Sequence, residues 1–76
     1  MILKILGKGC PNCQRLEANV REAANNLGLE ATIEKVTDVK TIVGYGVMST
    51  PALVKDEKVV SYGRVLSVKE AENLLK

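Results

Sequence analysis

A short β-favouring run followed by a long helical stripe constrains this chain more than any other feature. Ile2, Leu3, Ile5 and Leu6 form an apolar run that stops at Gly7, the pattern of a strand buried on both faces. From Pro11 onward Leu16, Val20, Ala23, Ala24 and Leu27 recur three or four residues apart, and Gly28 follows. That spacing predicts a helix ending at the glycine. A second strand is expected over Ala31, Ile33 and Val36. A strand, a helix and a strand in succession join by a right-handed crossover, so the first two strands are expected to lie parallel in one sheet.

The second half reads differently. Asp38 is placed to cap a short helix through Ile42 and Val43, stopped by Gly44 and Gly46. Ala52, Leu53 and Val54, then Val59 and Val60, flank the polar pair Asp56 and Glu57, which predicts an antiparallel hairpin. Ser67 and Glu70 have capping-box spacing ahead of Ala71, Leu74 and Leu75, so the chain is expected to finish in a helix. The order β-α-β-α-β-β-α makes an α/β fold with a four-stranded mixed sheet and helices on both faces. Its 76 residues suit a single domain over 1–76. The only aromatics are Tyr45 and Tyr62, which leaves Ile, Leu, Val and Ala to build the core. Both tyrosines are read as packing residues, Tyr62 half-buried at the end of the hairpin.

Charge narrows the function. Eleven Lys and Arg against nine Asp and Glu give a net charge of +2, scattered along the chain, so neither nucleic acid nor a membrane surface is expected as a partner. No His is present, which removes the usual general base and the commonest metal ligand. Reactive chemistry falls to Cys10 and Cys13. The apolar start is interrupted by Lys4 and is too short for a signal peptide or a membrane span. A cytoplasmic monomer is expected. In a reducing compartment, two thiols this close in sequence are metal ligands or redox-active groups rather than a structural cross-link.

Their placement favours redox chemistry. With Cys10 at the N-cap, Pro11 falls at the first helical position, where its missing N–H costs nothing, and Cys13 falls two residues further. The Cys10 sulfur then faces the free N–H groups and positive end of the helix, which favour a thiolate. Lys8 adds positive charge nearby. Cys10 is thus expected to be the attacking sulfur. Cys13, on the buried side of the helix, is expected to attack the mixed disulfide that Cys10 forms, with Gly9, Pro11 and Asn12 completing the active-site loop. The alternative is a small metal-binding module like the copper chaperones, which also place two cysteines at this spacing after a first strand. Lys8 stands where those proteins commonly have Met, and they end in a strand. Structural zinc takes four ligands where this chain offers two, so only a metal-bridged dimer would complete a site.

The segment Gly7-Lys8-Gly9-Cys10-Pro11-Asn12-Cys13-Gln14 with Leu16-Glu17, then Ser49-Thr50-Pro51-Ala52-Leu53, then Gly63-Arg64-Val65, resembles the thioredoxin superfamily. It is most similar to the small, glutaredoxin-sized thioredoxin-like proteins of archaea and bacteria. The resemblance implies a thioredoxin-like fold and a thiol-disulfide oxidoreductase that reduces protein disulfides through a redox-active Cys10–Cys13 disulfide, with no bound cofactor. It also implies a flavoprotein of the thioredoxin reductase type as the source of electrons. Pro51 takes the place of the superfamily's cis-proline beside the active-site disulfide, leaving the Thr50 backbone free to pair with an extended substrate segment. Three positions depart from the pattern. Gly9 stands where thioredoxins usually have Trp, and Lys4 stands where many carry a buried Asp, six residues before the first cysteine. The stretch Gly63 to Ser67 supplies only part of the glutathione-binding pattern of glutaredoxins. Because a buried unpaired Lys is costly, Lys4 is read as pointing to solvent.

Overall fold

Alternation along the first strand divides the molecule into two layers. The computed structural model describes residues 1–76, with β1 at Ile2–Leu6, α1 at Pro11–Asn26, β2 at Thr32–Val36, α2 at Val39–Gly44, β3 at Ala52–Lys55, β4 at Lys58–Tyr62 and α3 at Val68–Leu75. The strands lie in the order β2-β1-β3-β4. β1 runs parallel to β2 and antiparallel to β3, and β3 runs antiparallel to β4. The sheet is therefore mixed, as the residue pattern predicts.

Leu3 and Ile5 of β1 and Leu53 of β3 project to one face, where they meet Leu16, Val20, Ala23 and Ala24 of α1 and Ala71 and Leu75 of α3. Leu6, Ala52 and Val54 project to the other face against Ile42 of α2 and Val47. Leu3, Leu6, Leu16, Leu53 and Leu75 are among the fully buried side chains. Each such leucine stabilises the fold by about 1.5–3 kcal/mol relative to exposure.

The helix ends follow from local chemistry. The Asp38 carboxylate accepts from the Thr41 N–H at 3.2 Å. Ser67 Oγ accepts from the Glu70 N–H at 3.1 Å while Glu70 Oε1 accepts from the Ser67 N–H at 3.2 Å, completing the capping box. Asn19 of α1 donates to the Leu66 carbonyl at 2.8 Å, tying the approach to α3 onto α1. In the hairpin, Asp56 and Glu57 both have positive φ, +47° and +71°, as a two-residue turn between twisted strands requires. Leu53 faces Ser61 and Val54 faces Val59, so Val60 is an extra residue in β4. This bulge was not expected from the sequence.

Three further expectations change. The second strand begins at Thr32 rather than Ala31. Tyr62 is 66% exposed, not half-buried, because it ends the edge strand β4 with no neighbouring strand beyond it. Lys4 does not extend freely into solvent. Its ammonium donates to Glu57 Oε1 at 2.6 Å and to the Tyr45 hydroxyl at 2.9 Å, and Tyr45 in turn donates to Glu57 Oε2 at 3.1 Å. The hydrogen bond to Glu57, then that to Tyr45, raises the Lys4 pKa above its ordinary value. By β1 alternation, Lys4 shares the face of Leu6, opposite α1.

Candidate active site

The loop between β1 and α1 carries both cysteines, and its shape follows from the residues around them. Gly9 has φ +78°, a conformation open to glycine at little cost, and it turns the chain out of the sheet edge. Cys10 is then the N-cap of α1, with φ −65° and ψ 162°, and Pro11 opens the helix. The Gln14 N–H donates to the Cys10 carbonyl at 3.0 Å, and the Gln14 side chain reaches back to the Gly9 carbonyl at 3.1 Å.

Cys10 Sγ accepts from the Cys13 N–H at 3.2 Å, the contact through which the start of a helix stabilises negative charge on sulfur. The two sulfurs are at bonding distance and their Cα atoms are 5.1 Å apart, within the usual span of a disulfide. Cys10 is partly exposed, whereas Cys13 is only 5% exposed. The sulfurs are thus unequal, one facing solvent and the other facing the protein.

Thr50 and Pro51 come from the opposite side of the sequence to the same place. Gly7 is buried, and a Cβ built on it would overlap Cys13 Sγ and lie 3.9 Å from Thr50 Cβ. Cys13 and Thr50 therefore converge over Gly7. Thr50 is exposed and Pro51 is buried, and the peptide between them is cis. The Pro51 carbonyl accepts from the Gly63 N–H at 2.9 Å, while the Thr50 N–H and C=O make no backbone hydrogen bond. Asn12 is exposed on the first turn of α1.

Sequence reading missed two charged residues at the site. Glu17 and Lys35 line a cavity of about 70 Å³ that Cys13, Ile5 and Gly7 also bound. Glu17 Oε1 is 3.2 Å from Lys35 Nζ, and Glu17 Oε2 is 2.8 Å from an Arg21 guanidinium nitrogen. Burial pushes the Glu17 carboxyl up, but the hydrogen bonds from Arg21 and Lys35 together outweigh it and hold the group below its ordinary pKa. The available signal was spacing, since Glu17 follows Cys13 by four residues and so shares its side of the helix. No group of three or more His, Cys, Asp or Glu side chains is placed to hold a metal ion.

The family model described as Thioredoxin domain matches residues 1–76, the full span of the fold just described. The chain belongs to this family. A thioredoxin of Methanothermobacter thermautotrophicus is 40% identical over 75 residues, covering 99% of this chain and 97% of its own. A thioredoxin of Methanocaldococcus jannaschii is 40% identical over 76 residues, covering 100% of this chain and 87% of its own. Among solved structures, that of a malarial protein superposes with a TM-score of 0.69 at 17% identity, covering 97% of this chain and 91% of the other, a likeness of fold. With its family, its thioredoxin relatives and two cysteines at disulfide distance, this thioredoxin-family chain is a thiol-disulfide oxidoreductase.

Proposed function

We propose that Cys10 is the attacking sulfur, that Cys13 resolves the mixed disulfide, and that Thr50 and Pro51 form the binding edge for an extended segment of a protein disulfide substrate. The observation that carries this reading is the asymmetry of the pair: Cys10 is the partly exposed N-cap, and Cys13 is buried one step behind it. The Cys10 thiolate attacks one sulfur of the substrate disulfide, and the other leaves as a thiolate. Cys13 then releases its proton to solvent and attacks Cys10 Sγ. The Cys10–substrate bond breaks, the second substrate thiolate departs, and the Cys10–Cys13 disulfide is left. Two electrons pass from the protein to the substrate, and a flavoprotein reductase in the cytoplasm returns two to the disulfide.

Gly9, Pro11 and Asn12 shape this loop without supplying a reacting atom. The unpaired Thr50 backbone groups beside Cys13 favour pairing with a substrate strand. The cycle uses no bound cofactor. Cys10→Ser should abolish dithiothreitol-driven reduction of insulin, and Cys13→Ser should accumulate covalent mixed disulfides that name the substrates and the reductase. Full turnover by Cys10→Ser would defeat the assignment.

A further inference from the structure

The two residues that flank the cysteine pair are joined by a side chain. Gly9 immediately precedes Cys10 and Gln14 immediately follows Cys13, and Gln14 Nε2 donates to the Gly9 carbonyl at 3.1 Å. This is the one hydrogen bond that Gly9 makes. The residue lies outside the helices and strands, and no backbone–backbone hydrogen bond involves it. It is exposed, and a Cβ built on it would meet no atom within 4 Å. A glycine has the widest conformational choice of any residue, so the Gln14 amide is what ties down the turn from which Cys10 enters the helix.

Two rings therefore enclose the active-site loop. One is covalent and is closed by the Cys10–Cys13 disulfide. The other is closed by the Gln14 side chain and runs around the first. The helical bond from the Gln14 N–H to the Cys10 carbonyl, at 3.0 Å, belongs to the backbone and does not depend on the side chain. Closing either ring restricts the same torsions between Cys10 and Cys13, so the ring that closes first spares the other part of its ordering cost. Such coupling is reciprocal: the disulfide strengthens the amide tie, and the tie raises the effective concentration of one thiol at the other.

We propose that Gln14 is a positioning residue whose bond to Gly9 holds the reduced loop close to its disulfide geometry and so favours the oxidised state of the pair. On oxidation the two thiols give two electrons and two protons to an acceptor disulfide, which becomes two thiols, and the Sγ–Sγ bond forms. Gln14 exchanges neither electron nor proton. The inference needs only the disulfide itself, so it stands apart from which sulfur attacks a substrate and from the part played by Thr50.

The test is the equilibrium of the protein with dithiothreitol and its cyclic disulfide, read by counting protein thiols after an acid quench. Gln14→Met keeps an unbranched side chain of similar helix propensity and has no donor. It should shift the equilibrium toward the reduced protein about threefold, and by no more than about tenfold, the most that one neutral hydrogen bond contributes net. The same coupling must show in folding, because the side chain has no part in the disulfide equilibrium of the unfolded chain. The urea midpoint of the oxidised form should therefore fall further in Gln14→Met than that of the reduced form. A merely structural role would lower both midpoints equally and leave the equilibrium with dithiothreitol where it was. That outcome, or a shift toward the oxidised protein, overturns the proposal. Neither measurement uses a protein substrate, so its result is separable from the insulin assays that test the roles of the cysteines.

Discussion

Gly7 and Cys13 share one space: the Cys13 sulfur lies where a side chain on Gly7 would begin. β1 is thereby able to deliver its last backbone atoms against the active-site sulfur, with Thr50 on the other side of the same point. Gly7→Ala forces a shift in a buried region, and overpacking of this kind costs about 1–3 kcal/mol. We expect a lower urea midpoint together with slower insulin reduction, because the group displaced is Cys13. Wild-type stability and turnover in Gly7→Ala would contradict the close packing.

Lys4 provides the opposite case. It occupies the position where many relatives of this fold carry an acid behind the second cysteine, yet here it pairs with Glu57 and Tyr45 on the sheet face away from α1. Lys4→Met is therefore expected to leave disulfide reductase activity unchanged while lowering the melting temperature slightly, since the pair with Glu57 is lost. A marked change in the Cys13 thiol titration on this substitution would place Lys4 in the wrong layer.

Acid should weaken the protein through three carboxylates. Glu17, Glu57 and Glu70 all sit below the ordinary value of 4.5 in the folded protein. For Glu57 the chief cause is the hydrogen bond from Lys4, and for Glu70 that from the Ser67 backbone. A depressed folded pKa contributes stability that is present above the unfolded value and lost as pH falls through the folded one. Urea midpoints measured from neutral pH downward should thus hold until about pH 4.5 and then decline. In Glu57→Gln the decline should be shallower, because one of the three linked protonations is gone.

The last helix depends on its cap. Ser67→Ala removes the hydroxyl that accepts from the Glu70 N–H, a loss of about 1 kcal/mol. Since α3 packs on α1 rather than against the cysteine loop, chemical denaturation should register the change while the rate of insulin reduction at ambient temperature stays the same.

What was legible in the sequence was local. Cys10 before Pro11, Asp38 before its short helix, and Ser67 with Glu70 announce helix starts within three residues or fewer, and each cap is present. The apolar runs of β1 and β3 likewise place the strands that bring Gly7 and Thr50 together. Contacts that depend on register between elements were not legible. Glu17 meets Lys35 only through the placement of α1 relative to β2, and Lys4 meets Glu57 only because β1 pairs with β3 at the turn end of the hairpin. The exposure of Tyr62 follows from β4 being the outermost strand, a property of sheet order rather than of the residues in the hairpin.

The two faces of the sheet are covered unequally. One carries the sixteen-residue helix α1 packed with α3, and the other carries the six-residue α2, whose own Val39 and Val43 are left exposed, as is Met48 after it. Local opening is easiest where fewer apolar side chains must be uncovered. The reacting sulfurs are mounted on the thicker layer, while the segment from Met48 to Thr50 emerges from the thinner one. With Thr50 and Pro51 as the proposed binding edge, breathing of the α2 side would fit a partner chain without loosening the geometry of Cys10 and Cys13, so that tolerance in recognition and rigidity in electron transfer would coexist in 76 residues.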